Sequence, residues 1–156
     1  MDKNDHPTSF GVFKPVGHTV MAFTSQADRD AAAAALLAPG FSPEDLVRYS
    51  PQEMLAQADA DLLSASPMAS VGQELNLVKA HRALAQEGCS FLVAHASHDA
   101  GAAQVDTVVR SMHAVSAQRY GRFLIEELVD RTPGDTQVFE SPDRGLDLET
   151  PAGKTP

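Results

Sequence analysis

The chain has 156 residues, a formal net charge of −9 and a hydrophobic fraction of 43%, which fits one domain with about 120 residues left for a core once polar ends are set aside. A balance this acidic repels nucleic-acid phosphates, and no run approaches the roughly 20 apolar residues that span a bilayer, so neither a nucleic acid nor a membrane is an expected partner. One cysteine excludes an internal disulfide framework and a four-cysteine zinc site.

The chain opens with MDKNDHPTSF, which lacks the basic and apolar regions of a secretory signal, and a cytoplasmic address is the expectation. Residues 1–14 read as a flexible segment in which Phe10, Val12 and Phe13 are the groups able to dock on a core. GHTVMAFT follows, rich in β-formers and of strand length. Ser25 and Asp28 are spaced to cap a helix beginning near Gln26, and Pro39-Gly40 stops it. After the connector GFSPED comes a short strand, LVRYS, that runs into Ser50-Pro51-Gln52-Glu53, a capping box with proline at the first helical position. The second helix carries Met54, Ala58 and Leu62 on one stripe, with Asp59 and Asp61 read as lying off it. Ser64-Ala65-Ser66-Pro67 breaks it, and a third helix runs to Gly88 with two apolar stripes, one through Met68, Val71, Leu75 and Val78, the other through Leu77, His81 and Leu84.

CSFLVAHAS is a nearly continuous apolar run, as expected of a strand buried on both faces. Ser97 reads as the cap of a fourth helix whose core stripe is Ala102, Val105, Val109 and Met112, with Val108 beside it, and VSAQRYGRFLIEELV reads as one last strand. Residues 130–156 are rich in Pro, Gly and acids and read as a polar, disordered tail with Val138 and Phe139 as its anchor.

This order, β-α-β, two helices, then β-α-β, predicts a ferredoxin-like α+β domain over residues 15–129 with a helical insertion after the second strand. Right-handed crossovers place HTVMAF and SFLVAH side by side in the centre. Val20 and Ala22 then oppose Met21 and Phe23, and Leu92 and Ala94 oppose Phe91 and Val93, so both faces of the central pair are apolar. The second face needs a cover, either the helical insertion or a second copy of the chain, and a homo-oligomer, specifically a homodimer, is expected on that ground.

The run from Val20 to Ser50, a strand followed by SQADRDAAAAALLAPGFSPEDLVRYS, resembles the opening of small bacterial general-stress (YflT-type) domains, with its helix, Gly-Phe and Asp-Leu-Val return. The resemblance implies a ferredoxin-like module without catalysis and a link to stress physiology; it spans about a fifth of the chain, and the two inserted helices depart from it.

Several residues carry candidate chemistry. Ser97-His98-Asp99 has the composition of a hydrolytic triad, but three consecutive side chains do not converge as nucleophile, base and orienter, and helix capping is the simpler use of Ser97 and Asp99. Cys89 and His95 stand at opposite ends of one strand, roughly 20 Å apart, and cannot share an ion. In the expected topology the start of the first strand lies beside the end of the third, which brings His18 towards His95 or His98. Arg119 and Tyr120 are further candidates for an anionic ligand or partner surface, against the plainer reading of Arg119 as an edge-strand charge. The ligand-binding candidates are therefore His18, His95, His98, Arg119 and Tyr120; no metal site and no cofactor are expected. The expected role is a non-catalytic protein acting through self-association or an unknown protein partner. The alternative is a small-ligand-binding or metal-dependent enzyme with a pocket against the sheet near His18 and His95.

Overall fold

The computed structural model describes residues 1–9, 11–38, 40–66, 73–96 and 98–129. Among these the chain forms an N-terminal hairpin of β1 (Thr8–Ser9) and β2 (Val12–Phe13), then β3 (His18–Phe23), α1 (Gln26–Leu37) and, after a short 3-10 turn, β4 (Leu46–Tyr49). Helices α2 (Pro51–Ser64) and α3 (Gln73–Gln86) follow, then β5 (Ser90–His95), α4 (Asp99–Ser111), β6 (Ser116–Tyr120) and β7 (Ile125–Glu127). The five longer-range strands make one antiparallel sheet in the order β4-β5-β3-β6-β7. This is an α+β architecture with β3 and β5 at its heart.

The capping chemistry sets the helix starts. Ser25 Oγ accepts from Asp28 N at 3.0 Å, and in α2 Ser50 Oγ accepts from Glu53 N while Glu53 Oε1 accepts from Ser50 N. The inward pattern of the central strands then divides the core in two. Val20, Ala22, Phe91 and Val93 pack with Met54, Ala58, Leu77 and Val78 of α2 and α3. Met21, Phe23, Leu92 and Ala94 pack with Ala32, Leu36, Val105 and Val109 of α1 and α4. Burying each large side chain contributes about 1.5–3 kcal/mol, so neither face is dispensable. The α2-α3 insertion supplies the second cover, and the sheet-face argument for a second subunit no longer applies.

Three expectations are revised by the structure, and a fourth, the docking of Val12 and Phe13 on the core, is met. The segment read as a single last strand is a hairpin: Gly121 N donates to Leu124 O at 2.8 Å, and a Cβ on Gly121 would stand 2.8 Å from that same oxygen. Only glycine closes the turn without shifting it, so β7 rather than β6 is the sheet edge. Within the segment read as flexible, Val12 and Phe13 are buried and join the α2-α3 side of the core, with β1 pairing beside them; Phe10 lies outside the described residues. Helix α4 begins at Asp99 with His98, not Ser97, as its N-cap. Asp61, placed off the inner stripe of α2, is one of its three buried residues. Ser97, Met68, Val71, Val138 and Phe139 fall outside the described residues, as does the tail from 130 on.

Candidate functional site

The ends of β3 and β5 meet at one corner of the sheet, where His18 and His95 are direct cross-strand partners with ring centroids 4.8 Å apart. Gly17 makes the corner possible. It adopts φ +83°, donates to Tyr120 O at 2.8 Å and accepts from Ala96 N at 3.3 Å, so one residue in the left-handed region ties the ends of β6 and β5 to β3. The His95 ring lies against it, its Cδ2 at 3.7 Å from where a Cβ would be.

Each imidazole of the corner has a defined orientation. His18 Nδ1 lies 3.0 Å from Val16 O, and since a carbonyl only accepts, this nitrogen carries the proton and Nε2 is left as an acceptor. Burial pushes the His18 pKa below its ordinary 6.5 and the neighbouring His95 pushes the same way, against the Val16 hydrogen bond. His95 turns Nδ1 towards Asp45 Oδ1 at 3.6 Å, an electrostatic contact longer than a hydrogen bond. His98 Nδ1 accepts from Gly101 N at 3.2 Å, which places the proton on Nε2.

Asp45 is itself prepared for this role. It closes the short turn Pro43–Asp45, where its Oδ2 accepts from Ser42 N at 3.0 Å and from Ser42 Oγ at 3.1 Å. The Ser42 amide, then its hydroxyl and His95, hold the carboxyl below the usual range despite some opposing desolvation. The Asp45 carboxylate therefore stands beside an imidazole whose Nε2 has no hydrogen-bond partner among the described residues.

Beside this pair opens a cavity of about 160 Å³, walled by Phe41, Asp45, His95, His98, Gly101 and Gln104 among others. Drug-sized pockets occupy about 300–1,000 Å³, so the volume suits a small molecule. Phe41, Ala96 and Ala100 are its apolar lining residues, and Asp45, the two imidazoles and Gln104 its polar ones. Among the described residues, no group of three or more His, Cys, Asp or Glu is placed to hold a metal ion.

The other candidates lie elsewhere. Arg119 is anchored on α4, donating to Ala102 O at 3.2 Å and pairing with Asp106, with Glu126 at 3.9 Å on the other side. Tyr120 is 1% exposed and packs its ring 6.2 Å from Phe13; only its carbonyl reaches the corner, through Gly17. His81 is buried with Nε2 2.9 Å from Gln118 Oε1, and Gln118 in turn donates to Ser116 Oγ and Glu127 Oε1. Desolvation lowers its pKa, against the Gln118 bond, so it is a neutral, satisfied core residue. Cys89 is buried and its thiol is pushed up by burial first and by Glu87 second, which leaves it a small apolar residue.

One group escaped the sequence reading. Asp61, 4% exposed, accepts from Phe13 N at 3.2 Å and meets His6 Nε2 at 3.3 Å, pinning the N-terminal hairpin to α2. Desolvation raises its pKa, opposed by His6 and the Phe13 amide. The signal was present in spacing: Met54, Ala58 and Asp61 stand at i, i+4 and i+7, which is one helix face.

No family pattern, characterised protein or solved structure matches the chain.

Proposed function

We propose that this chain is a ferredoxin-like domain that binds a small polar molecule at the Asp45–His95–His98 corner. Two features support the ferredoxin-like reading: β4, β5, β3 and β6 are adjacent in that order, and α1 and α4, which join the parallel pairs β3/β4 and β5/β6, pack into the same half of the core. The single observation that carries the binding reading is the cavity of about 160 Å³ whose polar wall contains a carboxylate-oriented imidazole. Elsewhere both sheet faces are filled by apolar side chains of the chain's own helices. The proposed site is the strand-end corner at His95 and His98 rather than a pocket between the sheet and α2-α3.

A ligand fitting this wall offers a donor to the free His95 nitrogen and an acceptor to His98 Nε2–H, with a short apolar part against Phe41. Small hydroxy acids, amides and polyols meet that description. The test is a thermal-stability screen of such compounds on the wild-type protein and on His95→Ala. Compounds that raise the midpoint only when His95 is present support the reading; a panel in which every stabilising compound acts equally on both proteins overturns it.

A second reading, interaction with a protein partner or with another copy, is favoured by Phe123 and Leu124, which stand 92% and 63% exposed on the β6-β7 turn. Phe123→Ser changes the apparent size in solution if that turn is an interface and leaves it unchanged if it is not.

A further inference from the structure

Lys3 crosses 50 residues of sequence to reach the start of α2, and its ammonium is received there as a ligand would be. Its Nζ donates to Glu53 Oε2 at 2.8 Å and to Arg48 O at 2.8 Å, and it stands 5.4 Å from the centre of the Tyr49 ring. A carboxylate, a carbonyl and an aromatic face on three sides complete the recognition of a primary ammonium. The receiving groups are preorganised without Lys3. Glu53 is fixed through its other oxygen, which accepts from Ser50 N at 2.9 Å; Tyr49 is 1% exposed; Arg48 O belongs to strand β4.

The tether itself is weakly held. The Lys3 and Glu53 side chains are 34% and 48% exposed, and pairs so open to water contribute little. Next to the ammonium lies a cavity of about 350 Å³, walled by Lys3 itself, Asn4 and His6 on the N-terminal segment and by Tyr49, Glu53 and Gln57 of β4 and α2. The net charge of −9 favours the approach of cations.

We propose that this is a binding site for a small primary amine, occupied in cis by Lys3, which a free amine displaces. The site is separate from the Asp45–His95–His98 corner and does not depend on it. Because the tethered ammonium competes at an effective concentration of about millimolar, removing it uncovers the site.

The experiment uses n-butylammonium, which copies the lysine side chain, followed by amide NMR shifts of the full chain. On Lys3→Ala, the amides of Arg48, Tyr49 and Glu53 shift saturably, with a midpoint about two- to sixfold below that of the wild type. Butan-1-ol leaves them unmoved, and Lys3→Ala combined with Glu53→Gln, which keeps a side chain able to cap Ser50, weakens the amine by about two- to fivefold. Equal midpoints for wild type and Lys3→Ala, the absence of saturation, or equal shifts with butan-1-ol overturn the proposal.

Discussion

Asp61 meets His6 with 6% of the carboxylate side chain and 18% of the imidazole in contact with solvent, whereas Asp45 meets His95 with 33% and 42% exposed. The residue types are the same and the separations similar, 3.3 and 3.6 Å, yet the surroundings push the two carboxyls in opposite directions. Burial dominates at Asp61 and raises its pKa; the Ser42 amide dominates at Asp45 and lowers it. The first pair is a clamp that holds the N-terminal hairpin on α2, and the second lines a cavity.

The largest effect expected on stability comes from Asp61→Ala. It leaves the Phe13 amide and the His6 ring without their acceptor inside the α2-α3 packing, and denaturant unfolding should show a loss of about 2–3 kcal/mol. Asp45→Ala removes partly exposed contacts and should cost about 1 kcal/mol or less. Equal losses for the two would break the distinction between clamp and open site.

The second expectation is a difference in sign with pH. The Asp61 pKa is raised in the folded chain, so its contribution to stability is fully present below the ordinary 3.8 and is lost as pH rises through the folded value. The Asp45 pKa is lowered, so its contribution is present above the ordinary 3.8 and is lost as pH falls through the folded value. Unfolding of the wild type against Asp61→Asn and Asp45→Asn across acid pH should therefore give stability differences that change in opposite directions. Parallel curves would contradict the assignment. The smallest effect is at His18, whose ring titration by NMR should have its midpoint below 6.5, and Asp45→Asn, which does not touch His18, should leave it nearly unchanged.

Much of this frame is legible from local chemistry. HTVMAF announces itself by its β-formers and SFLVAH by a nearly continuous apolar run, and Ser50-Pro51-Gln52-Glu53 announces the start of α2 by its cap, since these signals act within a few residues. That His18 lies near His95 or His98 follows from strand order; the register that pairs it with His95 does not. What the sequence hides is long-range cover. The burial of Asp61 depends on His6 and Phe13, which lie 55 and 48 residues away, and a carboxylate on a helix flank reads as solvated until those partners arrive. The β6-β7 hairpin was missed because Gly121 turns the chain inside a run that is otherwise rich in apolar residues. Ser97 reads as the natural cap of α4, whereas His98 supplies it through a ring nitrogen, and this choice fixes its tautomer.

The most direct measurement is a two-dimensional NMR spectrum of the imidazole nitrogens, recorded with increasing amounts of a compound selected by the stability screen. The account predicts that the His95 and His98 rings shift saturably while His6 and His81 stay in place. Shifts at His6 with His95 and His98 unmoved would contradict it.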